Sequence, residues 1–298
     1  MIAADFAAAR AICRRHAKSF YFASHFLPEP KRSHAYAVYA FCRLLDDAVD
    51  ESDGDAAMRA QLERFDALLD DAYEGRPPAG ATEEAAALRA FAHTVAACGI
   101  PQKHFRELAD GCRMDLTVAR YADWPALEKY CYHVAGVVGV IMCYVFGLAD
   151  PAAHARAIAM GNAMQLTNIL RDVREDFGRG RVYLPQDEMA GFGVTDADLA
   201  AKIATAKMAD LVRFQIGRAR SLYREGAAGL ASLCADGSRQ TAAVMAVVYA
   251  GILRAIERNG CDVFAGRAHL TTPQKLFRIV PALRLAHREH GEPVPDVF

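Results

Sequence analysis

Six oxygen-bearing side chains fall into two sets with matching spacing. Asp46, Asp47 and Asp50 form the first, and Asn168, Asp172 and Asp176 the second. Positions 46 and 50, like 168, 172 and 176, lie four apart, so on a helix each set shares one ridge, a turn between neighbours. Carboxylates stacked in this way repel unless a cation sits between them. Oxygen-only ligation suits Mg²⁺, with Mn²⁺ as a substitute, because Mg²⁺ is hard and shares its shell with waters and phosphate. Two such helices facing each other predict a site for Mg²⁺ and a diphosphate, the metal acting as a Lewis acid on the leaving group.

A single D-x-x-x-D is usually a solvated helix face. Here the first set follows Tyr36-Ala-Val-Tyr-Ala-Phe-Cys and encloses Ala48-Val49, while Met164, Leu166, Ile169 and Leu170 surround the second. These flanks predict that the carboxylates at 46, 50, 172 and 176 lie inside apolar helices. A di-iron carboxylate bundle would need Glu-x-x-His pairs, and no His in the chain has a Glu three residues before it. Arg43, one turn before Asp46, and Arg171, beside Asp172, are placed to meet phosphate oxygens through bidentate contacts. Lys18, Ser19, Tyr39, Arg179, Arg181 and Tyr183 lie near the two sets in sequence.

The elements that position these groups read as helices. Of 298 residues, 59 are Ala, which favours helix and disfavours strand, and no run of alternating β-branched residues appears. Turn signals delimit helices at 4–26, 31–52, 55–74, 82–98, 102–119, 126–148, 152–176, 196–231, 238–259 and 273–289. The eighth is long enough to break near Gly217 or Gly226. Residues 178–185 read as an extended basic loop. Without a linker or repeat, one all-α domain spanning 1–298 is expected. The net charge of -1 excludes a broad nucleic-acid surface, and 53% apolar residues exclude a disordered chain. Residues 130–149 carry no Asp, Glu, Lys or Arg and match one bilayer span in length, but three Gly and His133 make a buried central helix the expectation. Eight Cys without a C-x-x-C pair, and no signal peptide, predict reduced thiols in a cytoplasmic protein.

The chain resembles the squalene and phytoene synthases, trans-isoprenyl diphosphate synthases that join two prenyl diphosphates head to head. The resemblance rests on KSFYF (18–22), YAVYAFCRLLDDAVDE (36–51), DGCRMDL (110–116), YCYHVAGVVG (130–139), QLTNILRDVREDFGRGRVYLP (165–185) and VFAGRA (263–268). It implies an isoprenoid-synthase helical bundle around a central apolar cavity, with Asp46, Asp50, Asn168, Asp172 and Asp176 as metal ligands. Arg43 and Arg171 would assist the diphosphate to leave, and Ser19, Tyr39, Gln165, Tyr183, Tyr249 and Arg267 would contact substrate.

The implied reaction ionises one allylic diphosphate. The second substrate's double bond attacks the cation, proton loss closes a cyclopropane, and a second ionisation joins the two C1 carbons. A dry cavity is needed because water would quench the cations. GRGRVYLP and DVFAGRA resemble bacterial carotenoid-type synthases, which implies two geranylgeranyl diphosphates going to phytoene. The alternative is a C15 enzyme making presqualene diphosphate, dehydrosqualene or, with NADPH, squalene. A more distant alternative is a non-catalytic scaffold with this fold, which would be expected to lose one or both acidic sets. Water-insoluble products imply transient peripheral membrane contact, to which Lys275, Arg278, Arg284 and Arg288 could contribute.

Overall fold

The computed structural model describes residues 2–50, 54–148 and 153–298, with the backbone alone at 48–50. Among these residues the chain is helical throughout, with two isolated bridges (Arg120 with Val182, Leu148 with Leu233) and no strand. The helices are α1 (Ile2–His16), α2 (Lys18–Ala23), α3 (Lys31–Asp50), α4 (Asp55–Tyr73), α5 (Glu83–Cys98), α6 (Gln102–Met114), α7 (Trp124–Cys131), α8 (Val137–Phe146), α9 (His154–Gly178), α10 (Gln186–Gly191), α11 (Asp196–Ala201), α12 (Ala206–Ala227), α13 (Ser238–Arg258), α14 (Thr272–Phe277) and α15 (Ile279–Ala286).

Local chemistry fixes several ends. The side chains of Thr82, Asp123 and Thr205 accept backbone N–H bonds that open α5, α7 and α12. Gly99, left-handed at φ 61°, closes α5.

Four expected helices divide. The stretch 4–26 breaks at Ala17 (φ -125°, ψ 60°), which turns α2 away from α1. The stretch 196–231 breaks at Lys202 in the left-handed region (φ 52°), not at Gly217 or Gly226. Both glycines stay inside α12, and Gly226 lies against Met160 of α9, where a Cβ would not fit. The stretch 273–289 divides at Arg278. The stretch 126–148 becomes α7 and α8, separated by a π turn at Tyr132–Gly136. A π turn inserts a residue into the helical repeat and rotates everything after it.

That uncharged segment packs inside the bundle against α6 and α9, with Tyr130, Val137, Ile141, Cys143 and Phe146 buried. Trp124–Phe146 is long and apolar enough to cross a membrane by composition, yet half of it is covered by protein. A glycine on each side explains the contact with α9: a Cβ on Gly139 would strike the Ala157 carbonyl, and one on Gly161 of α9 the Ala135 carbonyl. α8 thereby touches α9 on one side and α3 on another, while α12 and α13 cover α9 from behind. Phe41, Phe65, Phe91 and Phe105 clamp α3 to α4, α5 and α6, with the Phe41 and Phe91 rings stacked 3.7 Å apart. Each such burial contributes roughly 1.5–3 kcal/mol. Against α1 the contact is made largely by Ala9, Ala37, Ala40, Ala87 and Ala90, so the Ala-rich composition also brings helices close. All eight cysteines are free thiols, as expected.

Candidate active site

Asn168, Asp172 and Asp176 lie along α9, whose other face buries Leu166, Ile169, Leu170 and Val173. Asp172 is gripped by two guanidinium groups. Arg171 Nε donates to Oδ1 at 2.8 Å, and Arg267, arriving from the segment before α14, donates from Nε to Oδ1 at 2.9 Å and from its terminal nitrogen to Oδ2 at 3.1 Å. Burial alone would raise the Asp172 pKa, but the two arginines outweigh it and hold the carboxyl below its usual range. One turn on, Asp176 behaves in the opposite way. Burial first, and then the negative charge of Asp172, push it up to about 7 despite Arg179 and Arg181. The void beside it is about 10 Å³, room for at most one water. The Asn168 amide donates to Gln165 Oε1 at 3.4 Å, and Asn168 Oδ1 is buried with no hydrogen-bond partner.

The first acidic set is less enclosed than its flanks suggest. Leu45 turns inward (1% exposed), whereas Asp46 is exposed and Asp47 half-buried, paired with Arg43 one turn earlier. The expectation that Asp46 lies within apolar surroundings is therefore corrected. The apolar flanks belong to the inner face of α3, and Asp46 points out of it. The Asp50 side chain lies outside the described residues. Tyr39 is half-buried beside Phe20 (5.8 Å between rings), and Ser19 opens α2 nearby. Tyr249 of α13 lies in the neighbourhood of both Tyr39 of α3 and Arg171 of α9.

A cluster that the sequence reading did not assemble adjoins Asp176. Tyr183 donates to Asp115 Oδ1 at 3.1 Å, and Tyr130 lies 3.3 Å from both Asp115 Oδ2 and the Tyr183 hydroxyl. Tyr121 stacks on Tyr183, and Arg181 bonds the Asp115 carbonyl at 3.3 Å. Burial and the Asp115 charge raise Tyr130 and Tyr183 well above the usual phenol range, so both keep their protons. Asp115 and Tyr130 lie in DGCRMDL and YCYHVAGVVG, the only sequence signal for them. Bringing them together requires α6, α7 and the 178–185 loop to converge, which no spacing rule announces. The π turn ties α7 down: His133 Nδ1 bonds the Glu107 carbonyl at 2.9 Å, and Tyr132 donates to Glu107 Oε2 at 3.1 Å.

Among the described residues, no three carboxylate, imidazole or thiolate side chains converge closely enough to hold an ion. Asp172 is turned onto its arginines instead. The donor set nevertheless fits a hard cation. The orphaned Asn168 oxygen and the charge-starved Asp176 carboxyl are one another's neighbours-but-one on the same ridge, and both lack what a divalent ion supplies.

The Squalene/phytoene synthase family profile matches residues 13–274. The chain belongs to that family. The phytoene synthase of Thermus thermophilus is 38% identical over 292 residues, 97% of this chain and 97% of that protein. Chloroplastic phytoene synthase 1 of Arabidopsis thaliana is 38% identical over 283 residues, covering 93% of this chain, which spans 64% of that protein's length. Among solved structures, a dehydrosqualene synthase in complex with a ligand superposes with a TM-score of 0.87 at 31% identity, covering 95% of this chain and 96% of that one. The fold is thus the helical bundle of the isoprenoid synthases, and the chain is a prenyltransferase of the phytoene/squalene synthase type.

Proposed function

We propose that this chain, as one domain over residues 1–298, joins two molecules of geranylgeranyl diphosphate head to head to form phytoene, through a cyclopropylcarbinyl diphosphate. The observation that carries the reading is the α9 ridge, where a carboxylate clamped by two arginines stands one turn from the half-buried Asp176 carboxyl on one side and from the unpartnered Asn168 oxygen on the other. Mg²⁺, or Mn²⁺ in its place, held by Asn168, Asp172 and Asp176 with Asp46 and Asp50, would supply Lewis-acid pull on the departing diphosphate. Arg43, Arg171 and Arg267 orient the diphosphate oxygens and take up charge as the C–O bond breaks. Ser19, Tyr39, Gln165 and Tyr249 complete the polar wall. Tyr130 and Tyr183 keep their phenolic protons beside Asp115. The apolar faces of α8 and α13 would receive the prenyl tails and exclude water. The protein works in the cytoplasm with transient membrane contact.

A C15 reading is favoured by one observation, the close superposition on a dehydrosqualene synthase. Incubating the protein with Mg²⁺ and either C15 or C20 diphosphate, with and without NADPH, separates the two. Phytoene from the C20 substrate, unaffected by NADPH, is the expected result. Turnover of the C15 substrate alone replaces this reading with a dehydrosqualene or presqualene diphosphate synthase, and an NADPH requirement with a squalene synthase. No turnover of either substrate would leave a scaffold role, against which the retained acidic residues argue.

A further inference from the structure

Arg278 joins α14 to α15, and its guanidinium group is pressed against Gly251 of α13, where any Cβ would collide with it. Its Nε is buried there without a hydrogen-bond partner. Positions 251, 254 and 258 share one face of α13, which brings Arg254 and Arg258 into the neighbourhood of the same guanidinium group. Burial and these two cations push the Arg278 pKa down.

Among the described residues no side-chain carboxylate pairs with Arg254, Arg258 or Arg278. Glu257, between the first two in sequence, is held instead by Arg220 through both oxygens at 2.6 Å. Arg254 donates to the main-chain oxygen of Phe298 at 3.3 Å. The arginines near the two acidic sets differ: Arg43 pairs with Asp47, and Arg171 and Arg267 with Asp172. Those cations have carboxylates built in, whereas the three around Gly251 do not. Half-buried guanidinium charge without a carboxylate is unfavourable until an anion joins it. Phosphate oxygens, which accept paired guanidinium donors, suit such a set.

We propose that Arg254, Arg258 and Arg278 form a second anion site, apart from the two acidic sets, that binds a free phosphate-type oxyanion, diphosphate more tightly than monophosphate. The site touches the segment that serves Asp172. Leu270, three residues after Arg267, packs against the same glycine, so an anion held there fastens the stretch that carries Arg267 to Asp172. Diphosphate as the occupant during turnover rests on the proposed head-to-head activity, which releases it; the anion site itself does not.

The test is calorimetric titration of the metal-free full chain with inorganic diphosphate and with inorganic phosphate, at ionic strength held constant with NaCl. It uses no prenyl substrate, so its outcome is independent of turnover. Saturable diphosphate binding is expected, weakened about tenfold in Arg254→Gln and about three- to fivefold in the more exposed Arg258→Gln. Arg267→Gln is expected to bind metal-free diphosphate like the wild type. Circular dichroism is expected to be unchanged in all three variants. No saturable binding, or undiminished binding in Arg254→Gln and Arg258→Gln, overturns the proposal. Binding lost in Arg267→Gln alone overturns it by placing the anion on the α9 ridge. Equal affinity for glycerophosphoglycerol, a deacylated lipid headgroup, overturns it in favour of a phosphodiester from lipid.

Discussion

Asp172 and Asp176 are the same residue on the same helix, one turn apart, yet their surroundings drive them in opposite directions. Asp172 faces Arg171 and Arg267 and is held ionised; Asp176 faces a nearly filled interior bounded by Tyr183, Val182 and Phe177 and is pushed up to about 7. Four-residue spacing fixes the ridge but not the charge state, which depends on what other elements deliver to each turn. One half of the site has its counter-charge built in. The other half stays short of positive charge until a cation arrives.

Replacing the two carboxylates one at a time separates these halves. Asp172→Ala is expected to lower kcat by about a thousandfold, because it removes a carboxylate that would hold the cation pulling on the departing diphosphate. It also leaves Arg171 half-buried without its partner, so the melting temperature falls. Near-normal turnover in this variant would remove α9 from the mechanism.

Asp176→Asn is expected to cost turnover by about a hundredfold or more, yet to stabilise the cation-free protein at neutral pH. The sign follows from linkage. The Asp172 pKa is depressed on folding, so its contribution is present above the ordinary value of 3.8 and is lost as pH falls through its lower folded value. The Asp176 pKa is raised on folding, so its relative stability is full below 3.8 and is lost as pH climbs toward about 7. Melting temperatures measured without metal between pH 4 and 8 are expected to decline less toward high pH in Asp176→Asn than in the wild type. Added Mg²⁺ is expected to raise the wild-type melting temperature more at pH 8 than at pH 6, because binding needs the carboxylate. Identical profiles for variant and wild type would place Asp176 in contact with water.

How much of this was legible in the sequence follows from the same contrast. The α9 ridge and the apolar face behind it were readable, because helical period alone aligns 168, 172 and 176. On α3 the period was equally readable, but the flanking Tyr36–Cys42 run described only the inner face, and Asp46 turned outward. The chain breaks at Ala17 and Lys202 were not readable, since neither carries a Gly or Pro at the break itself, and the π turn at Tyr132–Gly136 was not, since a Gly inside an apolar helical run does not announce one. The Asp115 cluster needed three elements to converge. Long-range geometry of that kind leaves no trace in local spacing.

The tyrosine wall beside Asp176 permits a finer test than removing the carboxylate. Tyr183→Phe deletes one hydroxyl from the Asp115 cluster and leaves Tyr130 and the Arg181 guanidinium, 4.0 Å from Oδ2, beside the carboxylate. A loss of about 1–2 kcal/mol in denaturant unfolding is expected, because a buried carboxylate loses a donor. The Asp172 half is untouched by this change, so the stability loss of Tyr183→Phe is expected to add to that of Asp172→Ala. Strong non-additivity would mean that the two halves act as one network.

The smallest effect belongs to the outer clamp. Arg267 is 55% exposed, so its ion pair with Asp172 is screened by solvent and contributes about 1 kcal/mol or less to stability. Arg171, at 15% exposure, keeps Asp172 ionised when Arg267 is lost. Arg267→Gln is therefore expected to leave the melting temperature within a degree or two of wild type. KM for the diphosphate is expected to rise several-fold, with kcat reduced less, since a positioning cation on a mobile-length side chain contributes to ground-state binding more than to the breaking bond. A kcat loss as large as that of Asp172→Ala would show instead that the outer arginine carries the reacting charge, and that the built-in half of the site depends on the segment before α14 rather than on α9 itself.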